Sequence, residues 1–151
     1  MIRFRILRST WMLSFLFYLL VLILVYMNLP EISRLPAPGT FGSENVSKSN
    51  TFYIALGSFF LINLLILLMV KMIDLNRTKK FYFTQSWIYG LGATVNLFWT
   101  ILVFYLLHYN NIKVTGDGFA SFLLYLGPSI LLLWLIYLAV NYKKVWYEWR
   151  P

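Results

Sequence analysis

Side chains able to carry chemistry are few and scattered in this chain of 151 residues. His108 is the only histidine. Two imidazoles on facing helices can hold a haem iron, and one cannot do so within a single chain. A metal held by imidazole and carboxylate needs an acid close by, and the nearest in sequence is Asp117. His108 therefore reads as a structural or solvated residue. The absence of cysteine excludes disulfides, thiolate metal sites, iron–sulfur clusters and thiol nucleophiles, and is silent on redox compartment. Ser14, Ser58, Ser121 and Ser129 have hydroxyls but no neighbouring base to activate them. Gly116-Asp117-Gly118 is a turn signal, and no glycine-rich phosphate loop precedes a helix. No catalytic residue, cofactor or metal is expected, and the chain reads as a non-enzyme.

Two amides stand apart. Asn63 and Asn96 each lie deep inside a long uncharged stretch. Primary amides both donate and accept, so two at one depth can bond to each other and contribute roughly 0.5–2 kcal/mol to helix association in an apolar medium. The alternative is a polar site that faces a cavity or a partner subunit. Which holds depends on the elements that carry them.

Those elements follow from where charge is missing. Charged residues make up 12% of the chain, against about 25% in soluble domains, while apolar residues reach 60%. Too little polar material remains to cover a water-facing surface, so lipid is the expected solvent. No charge or histidine falls in residues 9–30, 49–70, 81–107 or 118–142. Each stretch exceeds the roughly 20 residues that span a hydrocarbon core once, and none suffices for two crossings. The expected fold is thus an all-α integral membrane protein, one domain over 1–151, with four transmembrane helices near 11–28, 52–72, 86–108 and 119–142. Arg3, Arg5 and Arg8 resemble the basic start of a signal peptide, but the exit Val25-Tyr26-Met27-Asn28-Leu29-Pro30 lacks a small-x-small cleavage pattern. A retained first helix is expected.

Orientation comes from the basic residues. Three precede the first span, four lie between Lys71 and Lys80, and three follow Tyr142; Arg34, Lys48 and Lys113 fall on the other side. That imbalance puts both termini in the cytoplasm. The net charge of +8 is thereby topological, and nucleic acid is not an expected partner. Apart from Lys71 at the inner end of the second span, Asp, Glu, Lys and Arg are absent from the spans, which argues against a self-contained ion-coupled transporter.

Depth now joins the amides. Asn63 lies 11 positions from Phe52 at the outer end of the second span, and Asn96 lies 12 from His108 at the outer end of the third. At 1.5 Å per residue they differ by about 2 Å in depth, near the midplane of antiparallel neighbours. Gly90 and Thr94 form a small-xxx-small pair that invites close helix approach, and Gly57-Ser58 offers a similar notch. Pro128, between Gly127 and Ser129, is expected to kink the fourth helix. No second break or internal repeat accompanies it, unlike the paired broken helices of transporters.

Aromatic residues gather at the expected boundaries: Trp11 at the first, Phe81 to Phe83 and Trp87 at the third. In the tail, Tyr142, Trp146 and Trp149 share one helix face, as an interfacial anchor or a docking peptide. The outer connection 29–50 contains Pro30, Pro36, Pro38, Gly39 and Gly42, and reads as a connecting loop on the outer surface or as a small cap or docking site. Asn45-Val46-Ser47 is a glycosylation sequon on the outer side, usable only in a eukaryotic secretory pathway. Asn76-Arg77-Thr78 matches on the cytoplasmic side, where it cannot be used.

Within this connection, Leu29-Pro30-Glu31, Gly39, Gly42, Ser47-Lys48-Ser49 and Phe52 resemble a family of small bacterial membrane proteins. That family includes immunity proteins against a sporulation-delaying toxin. The similarity runs from Tyr26 to Tyr53 and lacks the His and Gly-Asp features of the family's loop. It implies membrane insertion and a role in toxin immunity or envelope regulation, and assigns no site. Three functions follow as expectations. The first is a non-catalytic accessory or interaction subunit of a membrane assembly, in a bacterial cytoplasmic membrane, with lipid and a membrane protein as partners. The second is a standalone immunity or regulatory protein that binds through 29–50. The third is an oligomeric small-solute channel.

Overall fold

The computed structural model describes residues 2–36, 43–75, 81–110 and 117–149. Its elements run α1 (Ile2–Asn28), β1 (Ile32–Pro36), β2 (Ser43–Ser47), α2 (Lys48–Leu75), α3 (Tyr82–Asn110) and α4 (Asp117–Trp149). A helix closes all of its interior backbone hydrogen bonds on itself, which suits long apolar stretches that no water reaches. Phe4–Asn28, Lys48–Asp74 and Tyr82–Asn110 are each long and apolar enough to cross a membrane. In α4 the described apolar run is Tyr125–Asn141, shorter than those three. The helices extend beyond the apolar spans: α1 begins at Ile2 rather than 11, α2 at Lys48 rather than 52, and α4 continues to Trp149 rather than 142. A charge-free stretch marks where hydrocarbon fits, whereas a helix continues into its polar flanks as long as its backbone bonds are met. Through Pro128, α4 runs as one helix, with Ser129 Oγ donating to the Tyr125 carbonyl at 2.8 Å.

The all-α expectation needs one correction. Within the connection 29–50, β1 and β2 pair antiparallel, with Ile32 opposite Ser47 and Pro36 opposite Ser43. Proline tolerates the end of an edge strand, where its missing N–H need not join a ladder, so Pro36 closes β1 without breaking it. The hairpin leads directly into α2, and the Lys48 N–H donates to the Glu31 carbonyl at 2.9 Å. Lys48 also extends its ammonium over the Tyr26 ring, 4.8 Å from the centroid, tying the hairpin's foot to the end of α1.

α3 is the central helix. It packs against α1, α2 and α4, while α1 and α2 approach each other far less and the α4 backbone comes close to that of α3 alone among the described residues. Its composition explains the position: Ser86, Gly90, Gly92, Ala93, Thr94 and Thr100 are buried, and such small side chains let several neighbours come close. One apolar cluster joins Tyr18, Val25, Phe59 and Val103. There the Tyr18 and Phe59 rings stack at 3.7 Å, and the Tyr18 hydroxyl donates to the Ala55 carbonyl at 3.0 Å. A second cluster joins Trp11, Ile66, Val70, Ile88, Tyr89 and Ala93. The opposite faces are lined with exposed leucine and isoleucine, including Leu13, Leu20, Leu61, Leu65, Leu133 and Ile136. A water-soluble fold would bury these residues.

Candidate functional site

Between the two apolar clusters lies a ring of polar groups drawn from three helices. Trp11 Nε1 of α1 donates to Asn63 Oδ1 of α2 at 3.0 Å. Asn63 Nδ2 donates to Asn96 Oδ1 of α3 at 2.9 Å. Asn96 Nδ2 donates to Ser14 Oγ at 3.1 Å, and Ser14 Oγ donates to the Trp11 carbonyl at 2.8 Å. Every bond points the same way around, so the circuit leaves Trp11 by its indole and returns by its backbone. Head-to-tail bonds of this kind polarise one another, and the low dielectric of a buried site strengthens each one.

The ring is closed on itself. All four side chains are buried, Asn96 completely. Asn63 uses its second amide hydrogen on the Phe59 carbonyl at 3.0 Å, so both of its donor positions are occupied. Thr100 Oγ1 donates to the Asn96 carbonyl at 2.8 Å within α3. Breaking one bond would strand a buried polar group, which costs more than an average bond contributes. The arrangement therefore specifies one register among α1, α2 and α3, and its hydrogen-bonding capacity is directed inward.

Glycine makes the ring possible. A Cβ on Gly92 would lie 2.7 Å from Trp11 Cδ1 and 2.9 Å from Trp11 Nε1. Only a residue without a side chain leaves room for the indole to reach Asn63. Gly90 does the same for α4, whose Trp134 ring occupies the space that a Cβ would take. Thr94, its expected small partner, donates its hydroxyl back to the Gly90 carbonyl at 2.9 Å. Gly127, beside Pro128, faces Phe98, with 2.8 Å from a would-be Cβ to Phe98 Cδ2.

Other positions differ from expectation. Trp11 sits within the helix packing rather than in a boundary belt, because its N–H has a partner in Asn63. Gly57 faces open space, with nothing within 4 Å of a would-be Cβ, so its notch is not used to pack this chain. Pro128 is exposed on α4. Tyr142, Trp146 and Trp149 belong to the backbone of α4, and their side chains lie outside the described residues. Sequence reasoning missed Trp11 and Ser14 as members of the ring, and Gly92 as the residue that makes room for it. The available signal was the i, i+3 spacing of Trp11 and Ser14 on one helix face.

Alongside the ring, α1 and α2 leave between them a groove of about 400 Å³. Met12, Phe15 and Leu16 form one wall, Phe60, Leu64 and Leu67 the other, with Trp11 and Asn63 also contributing to the lining. Both of those polar groups are already bonded in the ring, so the groove presents an apolar surface. No family model, curated protein or solved structure matches this chain.

Proposed function

We propose that this chain crosses a bacterial cytoplasmic membrane four times, with both ends inside, and serves as a non-catalytic interaction subunit of a larger membrane assembly. The basic residues at the N-terminus, between α2 and α3, and after Tyr142 support the orientation. The observation that carries the function is the groove between α1 and α2. Its bulky walls are exposed, Leu16 at 60% and Leu64 at 54%, beside a ring that holds the two helices in register. Apolar side chains from a neighbouring transmembrane helix match such a surface. The test is purification from native membranes in a mild detergent. A partner at fixed stoichiometry is expected, lost on Leu16→Trp or Leu64→Trp while the thermal midpoint stays unchanged. A homogeneous monomer that retains its fold would contradict the proposal.

A second reading, immunity or regulation through the outer connection, is supported by the hairpin. Among the described residues its two strands pair only with each other, and Ile32 is 66% exposed. Exposed strand edges are templates for an incoming peptide strand. Replacing 37–42 with a Gly-Ser linker of equal length should abolish protection against an added toxin under this reading, and leave it unchanged under the first.

A further inference from the structure

A second small cavity lies among α1, α3 and α4, bounded by Leu7, Phe83, Ser86, Trp87, Trp134 and Tyr137. Two of these residues share an unusual property. The indole N–H groups of Trp87 and Trp134 are buried, and among the described residues neither has a hydrogen-bond partner. A buried donor left unmatched costs about 1–3 kcal/mol, and buried tryptophans ordinarily find an acceptor. Two such donors beside one cavity call for a shared acceptor.

The surroundings narrow its chemistry. An indole can only donate, and the Ser86 hydroxyl donates its own hydrogen to the Tyr82 carbonyl. A cation is also near: Lys144 Nζ lies 6.0 Å from the centre of the Phe83 ring, which forms one wall of the cavity. The space is about 10 Å³, enough for a single oxygen of roughly water size. A ligand with oxygen acceptors and negative charge meets all three conditions. Leu7 stands next to Arg8, and the cavity sits between the first two turns of α3 and the middle of α4, with the start of α3 and Lys144 at the end of the molecule placed at the cytoplasmic surface above. Lipid headgroups occupy that depth, and basic pockets between helices on this side are suited to anionic ones.

We propose that Trp87, Trp134 and Lys144 form a binding site for the phosphodiester of an anionic phospholipid in the cytoplasmic leaflet. The two indoles donate to one phosphate oxygen, Lys144 neutralises the charge from the rim, and the acyl chains lie along α4. This site rests on the membrane orientation proposed above.

The test uses the full chain, ¹⁵N-labelled at tryptophan, delipidated and held in a neutral detergent. Two indole N–H resonances, assigned by Trp87→Phe and Trp134→Phe, should move downfield and saturate as phosphatidylglycerol is added. Phosphatidylcholine and inorganic phosphate should leave them in place. Lys144→Gln should weaken the response about fivefold without altering the remaining spectrum. Resonances that stay still, or that move equally with phosphatidylcholine, would overturn the site. So would an exchange signal from a bound water at both indoles that added lipid does not displace. Because the titration needs no oriented membrane, its failure alongside an intact topology would reject this site alone.

Discussion

Gly92→Ala isolates the contact on which the polar ring depends. The added methyl would stand 2.7 Å from Trp11 Cδ1, 2.9 Å from Trp11 Nε1 and 3.1 Å from Ile66 Cδ1. Carbon atoms prefer about 3.5–4.0 Å, so the indole must withdraw by several tenths of an ångström or more. Its N–H bond to Asn63, now 3.0 Å, then lengthens past useful range. Overpacking of this kind costs about 1–3 kcal/mol, and the stranded Asn63 carbonyl adds about 1 kcal/mol. Against this stands a helix-propensity gain of about 0.5–1 kcal/mol for alanine over glycine. The net expectation is a loss of about 1–3 kcal/mol. Gly57→Ala supplies the control, because nothing lies within 4 Å of its new methyl and only the propensity gain remains. The two substitutions should therefore have opposite signs in thermal unfolding in detergent. Adding Trp11→Phe should make Gly92→Ala nearly neutral, since the smaller ring clears the methyl. If Gly92→Ala and Gly57→Ala stabilise equally, the indole does not occupy that position and the ring is wrongly drawn.

Further outcomes follow from the same geometry. Asn63→Leu and Asn96→Leu should couple by more than about 0.5 kcal/mol in a double-mutant cycle on unfolding, and additivity within that margin would reject their bond. Tyr18→Phe keeps the stack on Phe59 but loses the bond to Ala55, so unfolding in detergent should show a loss of about 0.5–1.5 kcal/mol. A membrane-impermeant thiol reagent applied outside intact cells should label Ser43→Cys and spare Thr78→Cys and Val145→Cys, with no native cysteine to interfere. Labelling of Thr78→Cys from outside would reverse the orientation.

Charge-free stretches made the four helices legible, because the length of hydrocarbon that a helix can cross is a simple physical quantity. Positions along α2 and α3 likewise indicated that Asn63 and Asn96 share a depth. Rotation about the axis of α3 was legible in the i, i+3, i+7 spacing of Ala93, Asn96 and Thr100, all three buried, whereas that of α2 was not. A helix that is apolar on every side, as α2 is, carries no amphipathic stripe to say which face turns inward. Asn63 is buried, whereas Gly57 and Leu67 are exposed. Trp11 was hidden for a related reason. A tryptophan near a basic N-terminus suits a headgroup belt as well as a core, and only the glycine opposite it, Gly92, distinguishes the two. The hairpin escaped notice because Ile32 to Pro36 and Ser43 to Ser47 are short and lack clear alternation, and the prolines suggested a connecting loop. The buried indoles of Trp87 and Trp134 have no signature in sequence at all, since burial of an N–H without a partner is a property of three-dimensional packing.

The central claim, that α1 and α2 present a partner-binding groove within the membrane, is tested most directly by site-specific photocross-linking in native membranes. A benzophenone amino acid is placed at Leu16 or Leu64 on the groove walls, and at Leu133 on the exposed face of α4 as a control. The account predicts one discrete protein adduct from both groove positions and none from Leu133. Adducts to lipid alone, or the same protein adducts from all three positions, would contradict it.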